Sequence, residues 1–135
     1  MREKSLFMIQ NSHFNNKVVA VTGGASGIGA ALCRRFGKAG ARVAVIDLDR
    51  KGADRLARDL TAAGMEAAGY ACDVSKQKEC EAVIGKVIRR WGGIDVLAVN
   101  AGVTQRSPFV DTDPAVYRKV MDINFFGSLY CAKAA

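Results

Sequence analysis

Histidine occurs only once in the 135 residues, at His13 in a polar stretch near the start. A Ser/His/Asp or Cys/His nucleophile would depend on that single side chain, which argues against hydrolase chemistry of this type. The four cysteines, Cys33, Cys72, Cys80 and Cys131, form no C-x-x-C pair and have no histidines clustered with them. Zinc and a redox dithiol are therefore poor readings; buried reduced thiols are expected at Cys33, within a helical pattern, and Cys72, at a strand end, in a cytoplasmic protein. No apolar block approaches the roughly 20 residues of a membrane-spanning helix. Glycine numbers 14 but keeps no fixed period, and no heptad is sustained. Collagen-like and coiled-coil readings fail with them. Half of the residues are hydrophobic and recur in blocks, which excludes disorder over most of the length.

The first sixteen residues lack both the apolar length of a secretory segment and an A-x-A site. They read as a mobile leader, residues 1–16, before a single domain over 17–135. The net charge of +7 is concentrated between Arg34 and Arg58. A basic face can attract nucleic acid, but solvated helix faces with i,i+4 pairs such as Asp54–Arg58 explain it better. Beside a phosphate-binding loop, the same cations would draw in an anionic cofactor.

From Lys17 onward two hydrophobic periods alternate. Val18-Val19-Ala20-Val21 reads as a buried strand closed by Thr22-Gly23-Gly24. A helix from Ile28 to Ala39 stops at Gly40, a strand spans Arg42 to Ile46, and a second helix runs from Lys51 to Ala63 before Gly64. A third strand is expected at Ala67 to Ala71, a helix from Lys76 to Trp91 before Gly92-Gly93, and a fourth strand from Ile94 to Val99. Pro114 suits the first turn of a last helix. Strands alternating with helices of this length imply a doubly wound parallel α/β sheet with strand order 3-2-1-4. Ligand is then expected beyond the carboxyl ends of strands 1 and 4.

The segment Thr22-Gly23-Gly24-Ala25-Ser26-Gly27-Ile28-Gly29 joins the first strand to the first helix. Glycines there let the backbone turn sharply and let a pyrophosphate reach N–H groups at the helix N-terminus. The turn is not a P-loop, since no Gly-Lys-Ser/Thr follows, and it departs from G-x-G-x-x-G because Leu32 fills the last position. Asp47 follows the second strand, where a carboxylate can accept hydrogen bonds from an adenosine ribose and repel a 2′-phosphate. NAD is therefore favoured over NADP, with Arg50 the cation that weighs the other way.

On these residues the chain resembles the classical short-chain dehydrogenase/reductase family, over about Lys17 to Ala135. The family's T-G-x-x-x-G-x-G turn is met by Thr22, Gly23, Gly27 and Gly29, with Ser26 and Ile28 inside it. Its acidic pair after the third strand corresponds to Asp73-Val74, where the carboxylate would bind the adenine amino group. Its N-A-G corresponds to Asn100-Ala101-Gly102, with Val99 in place of the usual preceding Asn. Asp122-Ile123-Asn124-Phe125-Phe126-Gly127 matches the helix that carries a catalytic asparagine. An asparagine inside a helix asks for a reason. The resemblance implies that Asn124 holds a water in a proton relay, and apolar neighbours argue against an exposed polar position.

The resemblance implies a Rossmann-like fold and hydride transfer between a nicotinamide and a small alcohol or carbonyl substrate, with a serine and a Y-x-x-x-K pair handling the proton. No tyrosine here has a lysine four places on: Tyr70 is followed by Val74, Tyr117 by Met121 and Tyr130 by Ala134. The expectation is the cofactor-binding part of a longer dehydrogenase, truncated at the C-terminus and inactive alone. The alternative is a non-catalytic nucleotide-binding or partner-binding chain. Homo-oligomers through the helix starting near Pro114 are implied by resemblance, and Gln105, Arg106 and Ser107 are placed where they would touch a polar substrate.

Overall fold

A computed structural model describes residues 13–135. Residues 1–12, the larger part of the expected leader, lie outside the described residues. Of the rest, Phe14 sets its ring edge-on against Phe36 with centroids 5.0 Å apart, and the Asn16 N–H donates to the Gly40 carbonyl.

Strands β1 (Val18–Thr22), β2 (Arg42–Asp47), β3 (Ala67–Ala71) and β4 (Val96–Val99) form one parallel sheet in the order β3-β2-β1-β4. Helices α1 (Gly27–Lys38), α2 (Arg50–Ala62) and α3 (Gln77–Trp91) connect them. A 3₁₀ turn (Phe109–Asp111) precedes a last helical run made of α4 (Pro114–Met121), a π-helical turn (Asp122–Phe126) and α5 (Gly127–Ala134). The expected doubly wound α/β sheet is present.

The parity of the strand residues decides the two layers. Val19 and Val21 of β1, with Val43 and Val45 of β2, face Ala30 and Cys33 of α1 and Ala53, Leu56 and Leu60 of α2. Val18, Ala20, Ala44 and Ile46 face the opposite way, onto Cys80, Val83, Ile84 and Val87 of α3 and Cys131 of α5. Both faces of β1 and β2 are therefore covered, as a parallel sheet requires, and this explains their unbroken apolar runs. All four cysteines are buried and free, Cys33 and Cys72 as expected. No helix among the described residues is long and apolar enough to cross a membrane.

Several boundaries differ from the sequence expectation. Asp47 is the last residue of β2 rather than the residue after it, because its main chain still pairs with Ala71 of β3. Strand β4 starts at Val96, two residues later than expected. Asp95 ahead of it turns its carboxylate onto the Val18 N–H at 2.8 Å and onto the Lys17 ammonium at 3.5 Å. Each of the first three helices is displaced by a residue or so at its start. Asp49 caps α2 by accepting from the Gly52 N–H, and Gly92 ends α3 in the left-handed region at φ 86°. The expected Asp54–Arg58 pair gives way to Arg50–Asp54, with Nε to Oδ2 at 2.7 Å: Arg50 has the same four-residue spacing from the other side.

Candidate functional site

All four strands end along one edge of the sheet, and a groove of about 330 Å³ opens there. Gly23 and Ser26 line it after β1, Asp47 and Leu48 at the end of β2, Asp73 and Val74 after β3, and Asn100 to Val103 after β4. Of the thirteen residues singled out in the sequence, eight line this groove directly. Thr22, Gly27, Ile28 and Gly29 shape or flank its glycine turn, and Asn124 stands behind Gly102 and Val103.

The turn is clamped from β4. Thr22, only 2% exposed, accepts hydrogen bonds at its Oγ1 from the N–H groups of Asn100 and Ala101, both at 3.1 Å. The Asn100 amide nitrogen in turn donates to the carbonyls of Thr22 and Gly23, each at 3.2 Å. Two glycines are needed for this closeness. A Cβ on Gly23 would lie 2.9 Å from the Ala101 Cα, and a Cβ on Gly29 would run into the Gly23 carbonyl oxygen. Gly27 is different: it has φ 53°, and a Cβ there would meet nothing within 4 Å. Two glycines thus serve packing, and one faces open space at the start of α1.

That open space lies at the positive end of a twelve-residue helix. Ser26 caps α1 without a side-chain hydrogen bond, and the first turn contains no acid. The first N–H groups of a helix have no acceptor within it, and with the helix dipole behind them they favour an anion. The geometry fits a pyrophosphate.

The acidic residues further along have distinct surroundings. Asp47 accepts from the Ala25 N–H through Oδ2 and from the Asp49 N–H through Oδ1, both at 2.9 Å, so its charge braces the glycine turn. Asp73 accepts at Oδ1 from the Ser75 hydroxyl at 2.6 Å and the Ser75 N–H at 3.1 Å. Chiefly the hydroxyl, then the Ser75 N–H and Lys76, hold its carboxyl below the ordinary carboxylate range against a partial burial penalty. Val74 is pressed by the last helix, where a Cβ on Gly127 would lie 2.8 Å from its Cγ2. Arg50, the cation that weighed toward a 2′-phosphate, is engaged by Asp54.

Asn124 sits in the π-helical turn. Its Oδ1 accepts from the Val103 N–H and its Nδ2 donates to the Val103 carbonyl, both at 2.8 Å, so the amide pairs with the main chain as a neighbouring strand would. The residue is exposed, as are Met121, Phe125 and Phe126, contrary to what its apolar neighbours suggested. Its reason is this two-bond tie to the segment after N-A-G. In the Gln105 to Ser107 segment, the Gln105 side-chain oxygen Oε1 accepts from the Ser107 N–H at 2.7 Å.

Leu48, Val103 and Ile123 line the groove without having been singled out from the sequence. Leu48 is 73% exposed, and Ile28 on the helix start is 75% exposed. A large aliphatic residue directly after a strand-end acid was the available signal for Leu48. Neither tyrosine nor lysine is among the lining residues.

A family profile described as short chain dehydrogenase matches residues 17–135. The chain is 35% identical over 125 residues to 2-(S)-hydroxypropyl-CoM dehydrogenase 3 of Xanthobacter autotrophicus, covering 93% of this chain and 49% of that protein. It is 37% identical over 123 residues to cis-4-hydroxycyclohexanecarboxylate dehydrogenase of Sinomonas cyclohexanicum, covering 90% and 49%. With 4-formylbenzenesulfonate dehydrogenase of Comamonas testosteroni it shares 42% identity over 124 residues, covering 91% and 49%. The chain spans about half the length of these curated relatives. A match over nearly the whole domain, on a sheet of the expected order with its glycine turn clamped to N-A-G, shows that the chain belongs to the short-chain dehydrogenase family.

Proposed function

We propose that this chain is the cofactor-binding part of an NAD-dependent oxidoreductase that acts on a small alcohol or carbonyl compound. The observation that carries the reading is the continuity of the groove from Gly23 and Ser26 through Asp47 and Leu48 to Asp73. An anion seat, a ribose-facing carboxylate and an acceptor for an adenine amine follow one another along it. The exposed side chains of Ile28 and Leu48 supply apolar surface on which flat rings would rest. When bound, the nicotinamide supplies the hydride acceptor or donor.

The chain's own residues then have distinct tasks. The α1 N-terminus with Gly27 holds the pyrophosphate, Asp47 accepts from the ribose hydroxyls, and Asp73 accepts from the adenine amine through Oδ2. Asn100, Ala101 and Gly102 form the floor on the β4 side, and Asn124 fixes Val103 and holds a water for proton transfer. The serine and Y-x-x-x-K pair that the family uses are not among these residues, so the 135-residue chain is expected to bind cofactor without turning over substrate. The reading includes a homo-oligomer in the cytoplasm, without nucleic acid or membrane as partner.

The preference for NAD rests on Asp47, whose carboxylate would repel a 2′-phosphate, and on the engagement of Arg50 by Asp54. Fluorescence titration is expected to give tighter binding of NADH than of NADPH. Asp47→Ala should weaken NADH by about tenfold, the loss of a charge-assisted hydrogen bond. Asp47→Asn keeps an acceptor for the Ala25 N–H and should narrow the gap to NADPH. Undiminished NADH binding by Asp47→Ala would overturn the ribose assignment, and tighter NADPH than NADH binding by the parent would reverse the cofactor preference.

A further inference from the structure

The candidate cofactor groove does not end at Asp73. A second groove of about 400 Å³ shares Leu48, Asp73 and Ile123 with it and continues between Ser75 and the α4 side, where Arg118, Lys119 and Asp122 line it. The shared residues make the two grooves neighbours, with Asp73 lining both.

Asp73 is chemically suited to a junction. Oδ1 is taken by the hydroxyl and N–H of Ser75, whereas Oδ2 has only the Lys76 ammonium at 3.6 Å. Oδ2 therefore keeps acceptor capacity for an N–H donor. An exocyclic adenine amine has two N–H bonds, and this contact uses one. The other can be replaced by a carbon substituent without breaking the contact, provided that space lies beyond it. The second groove supplies that space.

The charges beyond the junction set the chemistry of the substituent. Asp73 is matched by Lys76, and Lys76 also reaches Glu79. Arg118 and Lys119 are exposed and take part in none of the ion pairs found among the described residues, and Asp122 is the one carboxylate that lines the groove from the same helical run. The α4 side thus has an excess of positive charge.

We propose that this second groove is a subsite for an anionic group carried on the exocyclic amine of the adenine ring, so that the protein accepts N6-carboxyalkyl adenine dinucleotides. The proposal rests on the reading of the first groove as the cofactor site, with Asp73 at the adenine amine.

The test is a pair of fluorescence titrations, with NADH and with N6-carboxymethyl-NADH, on the parent chain and on the double variant Arg118→Ala, Lys119→Ala. The analogue is expected to bind the parent within about threefold of NADH, and the double variant to weaken the analogue about fivefold while moving NADH less than about twofold. Added salt should weaken the analogue more than NADH, since the extra contact is between exposed charges. Binding of the analogue more than about tenfold weaker than NADH would overturn the subsite and leave the cofactor reading standing. An equal loss for both ligands in the double variant would do the same. Failure of NADH itself to bind would bring down the cofactor reading and the subsite with it.

Discussion

Gly29→Ala sets two effects of opposite sign against each other. Gly29 is the third residue of α1, with an ordinary helical conformation, and by helix propensity alone an alanine there stabilises by about 1 kcal/mol. Its Cβ, however, would run into the Gly23 carbonyl oxygen and lie 2.7 Å from both the Gly23 carbonyl carbon and the Asn100 Nδ2. Two of these atoms are backbone, and the third is held by its hydrogen bonds to Thr22 and Gly23. Forcing a methyl group into such a contact costs at the upper end of overpacking, about 3 kcal/mol. The net loss is about 2 kcal/mol, which for a domain of this size lowers the melting temperature by roughly 6–12 °C. Urea unfolding followed by the fluorescence of Trp91, the single tryptophan, reads this as a lower midpoint at an unchanged slope. Gly27→Ala is the control, because its Cβ enters open space and the penalty is confined to φ 53°, about 1 kcal/mol. If Gly29→Ala proved as stable as the parent, the clamp would be looser than described and the division between packing glycines and an open one would be wrong.

Three further outcomes are expected. Thr22→Val keeps the shape of a buried side chain but leaves the Ala101 N–H without its acceptor, so stability should fall by about 1–3 kcal/mol in the same urea assay; an unchanged midpoint would refute the clamp. Asp73 and Asp95 both have carboxyls held below the ordinary range, Asp73 chiefly by the Ser75 hydroxyl and Asp95 chiefly by the Val18 N–H. The stability they contribute is present above the unfolded carboxylate value and is lost as pH falls through the lower folded one, so Asp95→Asn should flatten the loss of stability below about pH 4, measured as urea midpoints against pH. Among the described residues strand β4 pairs on one side only, with β1, and its sequence Val-Leu-Ala-Val is wholly apolar, so the 135-residue chain should self-associate with rising concentration in sedimentation velocity; a clean monomer throughout would count against this.

Much of the fold was legible because a parallel sheet covered on both faces leaves a strong local signature. The apolar runs at β1 and β2 and the glycines after α1, α2 and α3 placed those elements to within a residue or two. Where the expectation slipped, a side chain had reached across the chain. Asp95 reads as the second residue of an apolar strand, but its carboxylate serves the start of β1, 77 positions away. Arg50 and Arg58 are equally spaced from Asp54 in sequence, and periodicity alone does not choose between them.

For the site, the sequence conveyed which residues gather but not how each is held. Asn124 shows why. A mid-helix asparagine with apolar neighbours argued against an exposed polar position without placing the amide, yet the helix is π-wound over Asp122–Phe126, and in that turn the amide reaches out to pair with both main-chain groups of Val103. One added residue per turn is a tertiary accommodation: Gly127 must come close to Val74, since even a Cβ there would lie 3.0 Å from the Val74 Cβ, while Asn124 must stay opposite Gly102. A regular α-helix advances about 100° per residue and would have to satisfy both contacts at fixed spacing, whereas a π turn lets the run before it and the run after it rotate independently. The same bulge thereby links Val74, after β3, to Gly102 and Val103, after β4, through one five-residue segment that contains Asn124.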